Sequence, residues 1–177
     1  TLAFTQRFVK AWMLRARRGA IFVTCISTGH DLIEAGFPVY NERKRGMMKI
    51  AGAKVFRNGE FVEDDIFIEG DRIVATGDET GEVIDAKGLL AIPGLVDVHS
   101  HGAVGHDFCD GTHESIDAIT RYEASRGVTA WCGTTMTFPE EKLAGIMECA
   151  AEHVDAPDAA ALVGINMEGP FISPEKV

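Results

Sequence analysis

Long apolar runs are missing from this 177-residue sequence. No stretch reaches the roughly 18 residues that a membrane-spanning helix needs, so a helical membrane protein is excluded. Cysteine is scarce and scattered: Cys25, Cys109, Cys132 and Cys149 show no Cys-x-x-Cys spacing. That argues against a zinc ribbon or a disulfide scaffold and for a reducing, cytoplasmic setting. Basic residues are outnumbered, with 17 Lys and Arg against 27 Asp and Glu and a formal net charge of −10. An acidic body is a poor partner for nucleic acid, whose phosphates are neutralised by clustered Lys and Arg. Length is short as well, since a complete (β/α)₈ barrel takes about 200 residues or more. What is present is ordinary for a globular chain, at 46% hydrophobic and 25% charged, which is too apolar for intrinsic disorder.

Charge divides the chain unevenly. Residues 1–46 hold 8 Lys and Arg against 3 Asp and Glu, whereas residues 47–177 hold 9 against 24. The first part has a basic knot (Arg15, Arg17, Arg18), a short apolar stretch over 20–26 and a second basic run (Arg43, Lys44, Arg45). No clear strand or helix period runs through it, and its apolar stretch is too short and too interrupted for a signal peptide. Residues 1–47 are therefore expected to be a leader without regular structure, with native translation expected to begin at Met47 or Met48.

The pattern after Met48 is cleaner. Residues 49–56 read as a strand, and Asn58-Gly59 is a hairpin signal. Short extended runs follow at 60–62, 65–69, 72–76, 83–85 and 89–92, broken by Gly-Asp pairs. Short β-rich runs with frequent turns predict a small β domain, of the sandwich type, over 48–92.

The character changes at Pro93-Gly94. Residues 95–99 read as a buried strand, and a Gly-rich loop follows it. Thr112 is placed to cap a helix running to about Arg126, with Ile116, Ile119 and Tyr122 on one face. Gly127 suits its end. Residues 128–135 read as a second strand. Pro139 suits a first helical turn, and Leu143, Ile146, Met147 and Ala150 mark an amphipathic helix. A third strand is expected at 161–167. Strand and helix in alternation predict parallel βαβ units over 93–177.

The candidate chemistry sits at the ends of these strands. His99 and His101 flank Ser100, and a period of two puts both imidazoles on one side, near enough to share a metal ion. Val96 and Val98 then face the other side, toward the covering helices. Imidazoles suit zinc, iron and other borderline metals alike. Glu168 follows the third strand and enters Gly169-Pro170, a sharp exit that would aim its carboxylate. Active sites of parallel α/β folds form at such C-terminal strand ends. Other candidates read as structural. His113 and His153 lie at helix ends, and His106 lies in a loop. Cys109 and Cys132 lack a basic partner and read as inert thiols. Thr134 and Thr135 read as hydrogen-bonding a loop. The Gly-rich loop lacks the Lys-Ser/Thr ending of a phosphate-binding loop.

These residues carry a resemblance. The run from Pro93 through His99-Ser100-His101 to Gly102 resembles the metal-binding strand of the amidohydrolase superfamily. The further runs Gly102-Ala103-Val104-Gly105-His106-Asp107-Phe108, Gly127-Val128-Thr129 and Asn166-Met167-Glu168-Gly169-Pro170-Phe171-Ile172 are similar to those of N-acetylglucosamine-6-phosphate deacetylases. The resemblance covers residues 48–177, about the first third of such an enzyme. It implies an α/β fold whose first three βα units begin a (β/α)₈ barrel. It implies hydrolysis of the acetamido group of N-acetylglucosamine 6-phosphate by metal-activated water, giving acetate and glucosamine 6-phosphate. It further implies Glu168 as principal metal ligand, with His99 and His101 as the pair found in two-metal members. The divalent ion would be zinc or iron, one or two per site. A homodimeric cytoplasmic enzyme, with a small amino-sugar phosphate as its only partner, is also implied.

Two departures stand out. Gly133 occupies a place where many members have Pro, so a looser loop is expected there. The family's later metal histidines and its general acid–base aspartate have no counterpart up to Val177, so that aspartate is expected beyond residue 177 and the 177 residues alone are expected to be inactive. Asp97 matches a family position and is expected to orient backbone or a neighbouring histidine. Two alternatives stand beside this reading: another amidohydrolase, such as a cyclic-amide hydrolase or deaminase, or a non-catalytic fragment.

Overall fold

The computed structural model describes residues 9–14, 21–26, 47–69, 72–77, 81–156, 158–173 and 175. It divides into two compact units, Thr1–Gly94 and Leu95–Val177. The fold is mixed α/β, and no described helix is long and apolar enough to cross a membrane.

Among the described residues, the regular structure of the first unit is all β. Its strands are β1 (Val9–Leu14), β2 (Ile21–Ile26), β3 (Met47–Arg57), β4 (Glu60–Glu69), β5 (Arg72–Val74), β6 (Glu82–Asp85) and β7 (Leu90–Pro93). They form one hydrogen-bonded sheet in the order β1-β2-β7-β3-β4-β5, with β6 also paired to β3. The expected hairpin is present: Arg57 pairs with Glu60, and Asn58 and Gly59 both take positive φ between them, as a two-residue turn that follows the sheet's twist requires. The two runs expected at 60–62 and 65–69 are one strand, β4.

A bulge explains how β3 keeps one apolar face. Met48 and Ile50 are buried, and so are Ala53 and Val55, although these two pairs have opposite parity. The register of β3 on β4 shifts between Ile50 and Ala53. One extra residue there restores the inward direction of the side chains beyond it. Gly52 sits in the bulge at φ +73°, and its N–H donates to Asp65 Oδ1 at 2.9 Å. Lys49 Nζ reaches the other Asp65 oxygen at 2.9 Å. Both contacts hold the Asp65 carboxyl below the usual carboxylate range, the Lys49 contact most. Ile66, Ile68, Ile84, Ala86 and Ala91 complete this core.

Residues 1–46, expected to lack regular structure, contain two strands. β1 and β2 pair antiparallel, and β2 continues antiparallel onto β7. The β-branched run at 21–26 suits an extended chain. Its sheet partner β7 lies some 65 residues further along, so no local pattern announces the pairing. Met47, assigned to the leader, pairs with Glu69 as the first residue of β3.

The second unit is β8 (Leu95–Ser100), β9 (Gly102–Ala103), β10 (His106–Asp107), a 3-10 turn at Phe108–Asp110, α1 (His113–Ser125), β11 (Val128–Thr135), α2 (Glu140–Glu152) and β12 (Ala161–Met167). β11 lies between β8 and β12, parallel to both. The three predicted βα units thus amount to three strands and two helices among the described residues. β9 and β10 form a tight hairpin through Val104 and Gly105.

Caps define the helices. The Thr112 side chain accepts from Ser115 N at 3.2 Å and opens α1. Pro139 precedes α2, with Glu140 and Glu141 in its first turn, where the helix dipole favours negative charge. The central strand is buried almost throughout, as expected for a parallel strand with both faces covered. Trp131 is fully buried and meets Phe108 edge-on, with ring centroids 5.6 Å apart. Ile116 and Ile119 from α1 and Leu143 and Ile146 from α2 are buried as well. Tyr122 is half-exposed, and Glu123 takes the inward place beside it.

Strand β8 departs from expectation. Leu95, Val96 and Val98 are exposed rather than buried, because β8 pairs only with β11 and no described element covers the outer side chains. Gly133 is not in a loose loop either. It lies inside β11, and a Cβ built on it would sit 2.5 Å from the Phe108 ring. Only a glycine lets that ring pack against the strand.

Candidate metal centre

The end of β8 is irregular in a way that serves the site. On β11, Trp131 pairs with Asp97 and Gly133 with Ser100. Two residues of β11 therefore span three of β8, which bulges at Val98 and His99. A bulge leaves backbone groups without ladder partners. Two side chains supply them. Asp97 Oδ1 accepts from the His99 N–H at 2.9 Å, and Asn166 Nδ2 donates to the Val98 carbonyl at 3.0 Å. Asp97 thus orients the backbone of a neighbouring histidine, as its position suggested.

From this bulge the two imidazoles converge on one carboxylate oxygen. Glu168 Oε2 lies 3.3 Å from His99 Nε2 and 3.2 Å from His101 Nε2. The two rings stand edge-on, with centroids 5.3 Å apart. One donor atom from each of His99, His101 and Glu168 lies within 4.8 Å of the others, and no other such trio occurs among the described residues. All three side chains are partly open, at 52%, 35% and 44% exposure, so a small molecule has access to them.

The donor set suits a divalent ion of the zinc or iron kind, which takes imidazole nitrogen and carboxylate oxygen together. Two such donors on one tetrahedral ion, each about 2.0–2.1 Å from it, stand about 3.3 Å apart. The nitrogen–oxygen separations match that spacing. His101 is further prepared: its Nδ1 lies 3.2 Å from the Thr134 carbonyl oxygen. A carbonyl only accepts, so a hydrogen on Nδ1 suits this contact and leaves Nε2 as the atom turned toward Glu168, the arrangement a metal-ligating imidazole uses.

Glu168 is aimed by its C-terminal neighbour. Gly169 has φ +87°, and a Cβ there would run into Thr137. The Thr137 hydroxyl donates to the Glu168 carbonyl at 3.4 Å, so the strand end is tied to the loop after β11.

The remaining candidates stay outside the trio. His106 Nδ1 contacts Ser115 Oγ at 3.1 Å. His113 begins α1 and His153 caps α2, and their rings stack 5.7 Å apart. Cys109 is buried and its thiol is pushed up, chiefly by that burial, which suits an inert thiol. The hydroxyls of Thr134 and Thr135 are buried without a hydrogen-bond partner, so the expected bonds to a loop are not made; Thr134 serves through its carbonyl. Asn166 is the residue that sequence reasoning passes over. Its signal is present: it shares parity with Glu168 and is a polar side chain in an otherwise apolar strand.

Known proteins resemble this arrangement. No family model matches the chain. The N-acetylglucosamine-6-phosphate deacetylase of Vibrio furnissii is 41% identical over 98 residues, covering 55% of this chain and 25% of that protein. The human protein of the same name is 29% identical over 140 residues, covering 73% of this chain and 34% of that protein. The crystal structure of the Thermotoga maritima N-acetylglucosamine-6-phosphate deacetylase superposes with a TM-score of 0.59 at 27% identity, over 73% of this chain and 34% of that one. The chain therefore spans a quarter to a third of the length of these relatives, and over that span it is similar to N-acetylglucosamine-6-phosphate deacetylases in both sequence and fold.

Proposed function

We propose that this chain supplies part of the metal centre of an enzyme that deacetylates N-acetylglucosamine 6-phosphate, with β8, β11 and β12 as the first strands of a (β/α)₈ barrel and the β unit as its sandwich-type companion. The observation that carries the reading is the convergence of His99 and His101 on one oxygen of Glu168. The similarity to deacetylases across both units supports it.

On this reading Glu168 is the principal ligand, His101 stands with it, and His99 completes the set. The ion is zinc or iron, one or two per site. A bound divalent ion lowers the pKa of a water and polarises an amide carbonyl. The chain's own part is positional. Asp97 and Asn166 hold the bulge, Thr134 fixes the His101 ring, and Thr137 with Gly169 aims Glu168. The general acid–base carboxylate that protonates the leaving amine comes from outside these 177 residues. The enzyme is cytoplasmic and homodimeric, and its partner is the amino-sugar phosphate alone.

Acetate release from N-acetylglucosamine 6-phosphate by a metal-loaded complete enzyme that contains this chain tests this directly. Release that is lost on chelation and restored by zinc or iron supports the reading. Turnover of a cyclic amide without acetate release would replace it with another amidohydrolase activity.

A further inference from the structure

The 3-10 turn at Phe108–Asp110 reaches the candidate metal centre by two routes. The Phe108 N–H donates to the His101 carbonyl at 2.7 Å. Cys109 is buried, and its sulfur accepts the Met136 N–H at 3.2 Å. The turn itself is braced. Asp107 Oδ1 accepts from Cys109 N at 2.7 Å, and Asp110 Oδ2 accepts from Asp107 N at 2.9 Å. The same Asp110 oxygen accepts from the Ser115 hydroxyl at 2.7 Å, which ties the turn to the start of α1. Met136 stands just past the end of β11, between two residues that serve the site. Two residues before it, the Thr134 carbonyl lies 3.2 Å from His101 Nδ1. One residue after it, the Thr137 hydroxyl donates to the Glu168 carbonyl at 3.4 Å. Gly169, which follows Glu168, packs directly against that Thr137. The segment 134–137 thus braces two of the three candidate ligands, and the Cys109 sulfur holds its middle.

We infer that Cys109 is a positioning residue: by holding the Met136 N–H it fixes the segment 134–137, and through that segment the His101 ring and the Glu168 backbone. The inference rests on the metal-site reading above and adds to it a residue outside the trio. The residue type fits the task. Cysteine is small and apolar enough for a closed core, and its sulfur still accepts one weak hydrogen bond. Burial keeps the thiol protonated, whereas a metal ligand is the thiolate. Cys109 therefore holds the frame and does not compete for the ion.

Nuclear magnetic resonance of the full chain, first without metal, reads the contact. The Met136 amide is expected to be protected from exchange in wild type and to lose that protection in Cys109→Ala. The His101 ring and Gly169 amide signals are expected to shift in the same variant. Cys109→Ser keeps an acceptor and is expected to hold all three near wild type. Zinc titration of the same samples is expected to show about a tenfold loss of affinity in Cys109→Ala, the low end of what an outer partner contributes, and little loss in Cys109→Ser. An unprotected Met136 amide in wild type overturns the inference without any variant. So do unmoved His101 and Gly169 signals in Cys109→Ala. If Cys109 only filled the core, Cys109→Ala would unfold more easily and bind zinc as wild type does, which also overturns it. Cobalt in place of zinc checks whether the sulfur is itself a ligand. A thiolate-to-cobalt absorption band that vanishes in Cys109→Ser would overturn the positioning role. Failure of the metal reading looks different: wild type and variants alike bind no zinc, while the metal-free signals still shift as expected.

Discussion

Asp97 accepts the backbone N–H of His99, two residues ahead in the same strand, at 2.9 Å. The carboxylate thereby replaces the ladder partner that the β8 bulge removes, and it sets where the His99 ring departs from the strand. Asp97→Ala is expected to hand that exposed N–H to water, at a cost of no more than about 0.5–1.5 kcal/mol, and to weaken zinc binding about 10- to 100-fold by loosening the ring. Asp97→Asn, which keeps an accepting oxygen, is expected to retain most of both. Chemical denaturation and competitive zinc titration check the pair. Equal losses in Ala and Asn variants would mean that the charge, not the acceptor, matters.

Glu168 is the one group that both imidazoles face. Glu168→Gln keeps size and shape but removes the charge that a cation needs between carboxylate and His101. Zinc affinity of the chain is expected to fall by more than about 100-fold, beyond the usual cost of losing an outer partner. The fold is expected to survive, since Glu168 is half-exposed and lies past the end of β12. Zinc titration and circular dichroism of the same samples separate the two effects.

The order of elements was legible because it rests on short-range chemistry. The Asn58-Gly59 turn, the Thr112 cap and the Pro139 start are each written in two or three residues, and each stands where expected. The trio was legible because two histidines and a glutamate fall at strand ends. Illegible features depend on chain that is distant in sequence. β2 needs β7 to become a strand. Gly133 needs Phe108, 25 residues earlier, to explain its missing side chain. The β8 bulge needs the register of β11, which no local pattern reports, although alternation does place His99 and His101 on one side. Asn166 acquires its meaning only once that bulge has exposed the Val98 carbonyl.

Gly133 offers a test of packing alone. A methyl group there would lie 2.5 Å from the ring of Phe108, which is fully buried and packs edge-on against Trp131. Gly133→Ala is expected to lower stability by about 1–3 kcal/mol, the usual cost of overpacking a closed core. Adding Phe108→Leu to the variant is expected to recover part of that loss. Thermal or urea unfolding of the single and double variants measures both. An unchanged stability in Gly133→Ala would show that the ring moves aside freely.

Glu123 offers a test in pH. It is buried on the inner face of α1, and its carboxyl is pushed above the usual range, first by burial and then by the nearby charge of Asp97. At low pH the group is neutral in both folded and unfolded chains and carries no penalty. As pH rises, the unfolded chain ionises first, and from there through the folded value the buried charge becomes a progressive cost to the native state. Glu123→Gln removes the titration. The variant is therefore expected to match wild type near pH 3, well below the ordinary glutamate value, and to be the more stable of the two at pH 7–8. Melting temperatures of both proteins across that range decide the matter. A variant less stable than wild type at neutral pH would mean that the Glu123 charge is compensated in the native state and that burial does not govern it.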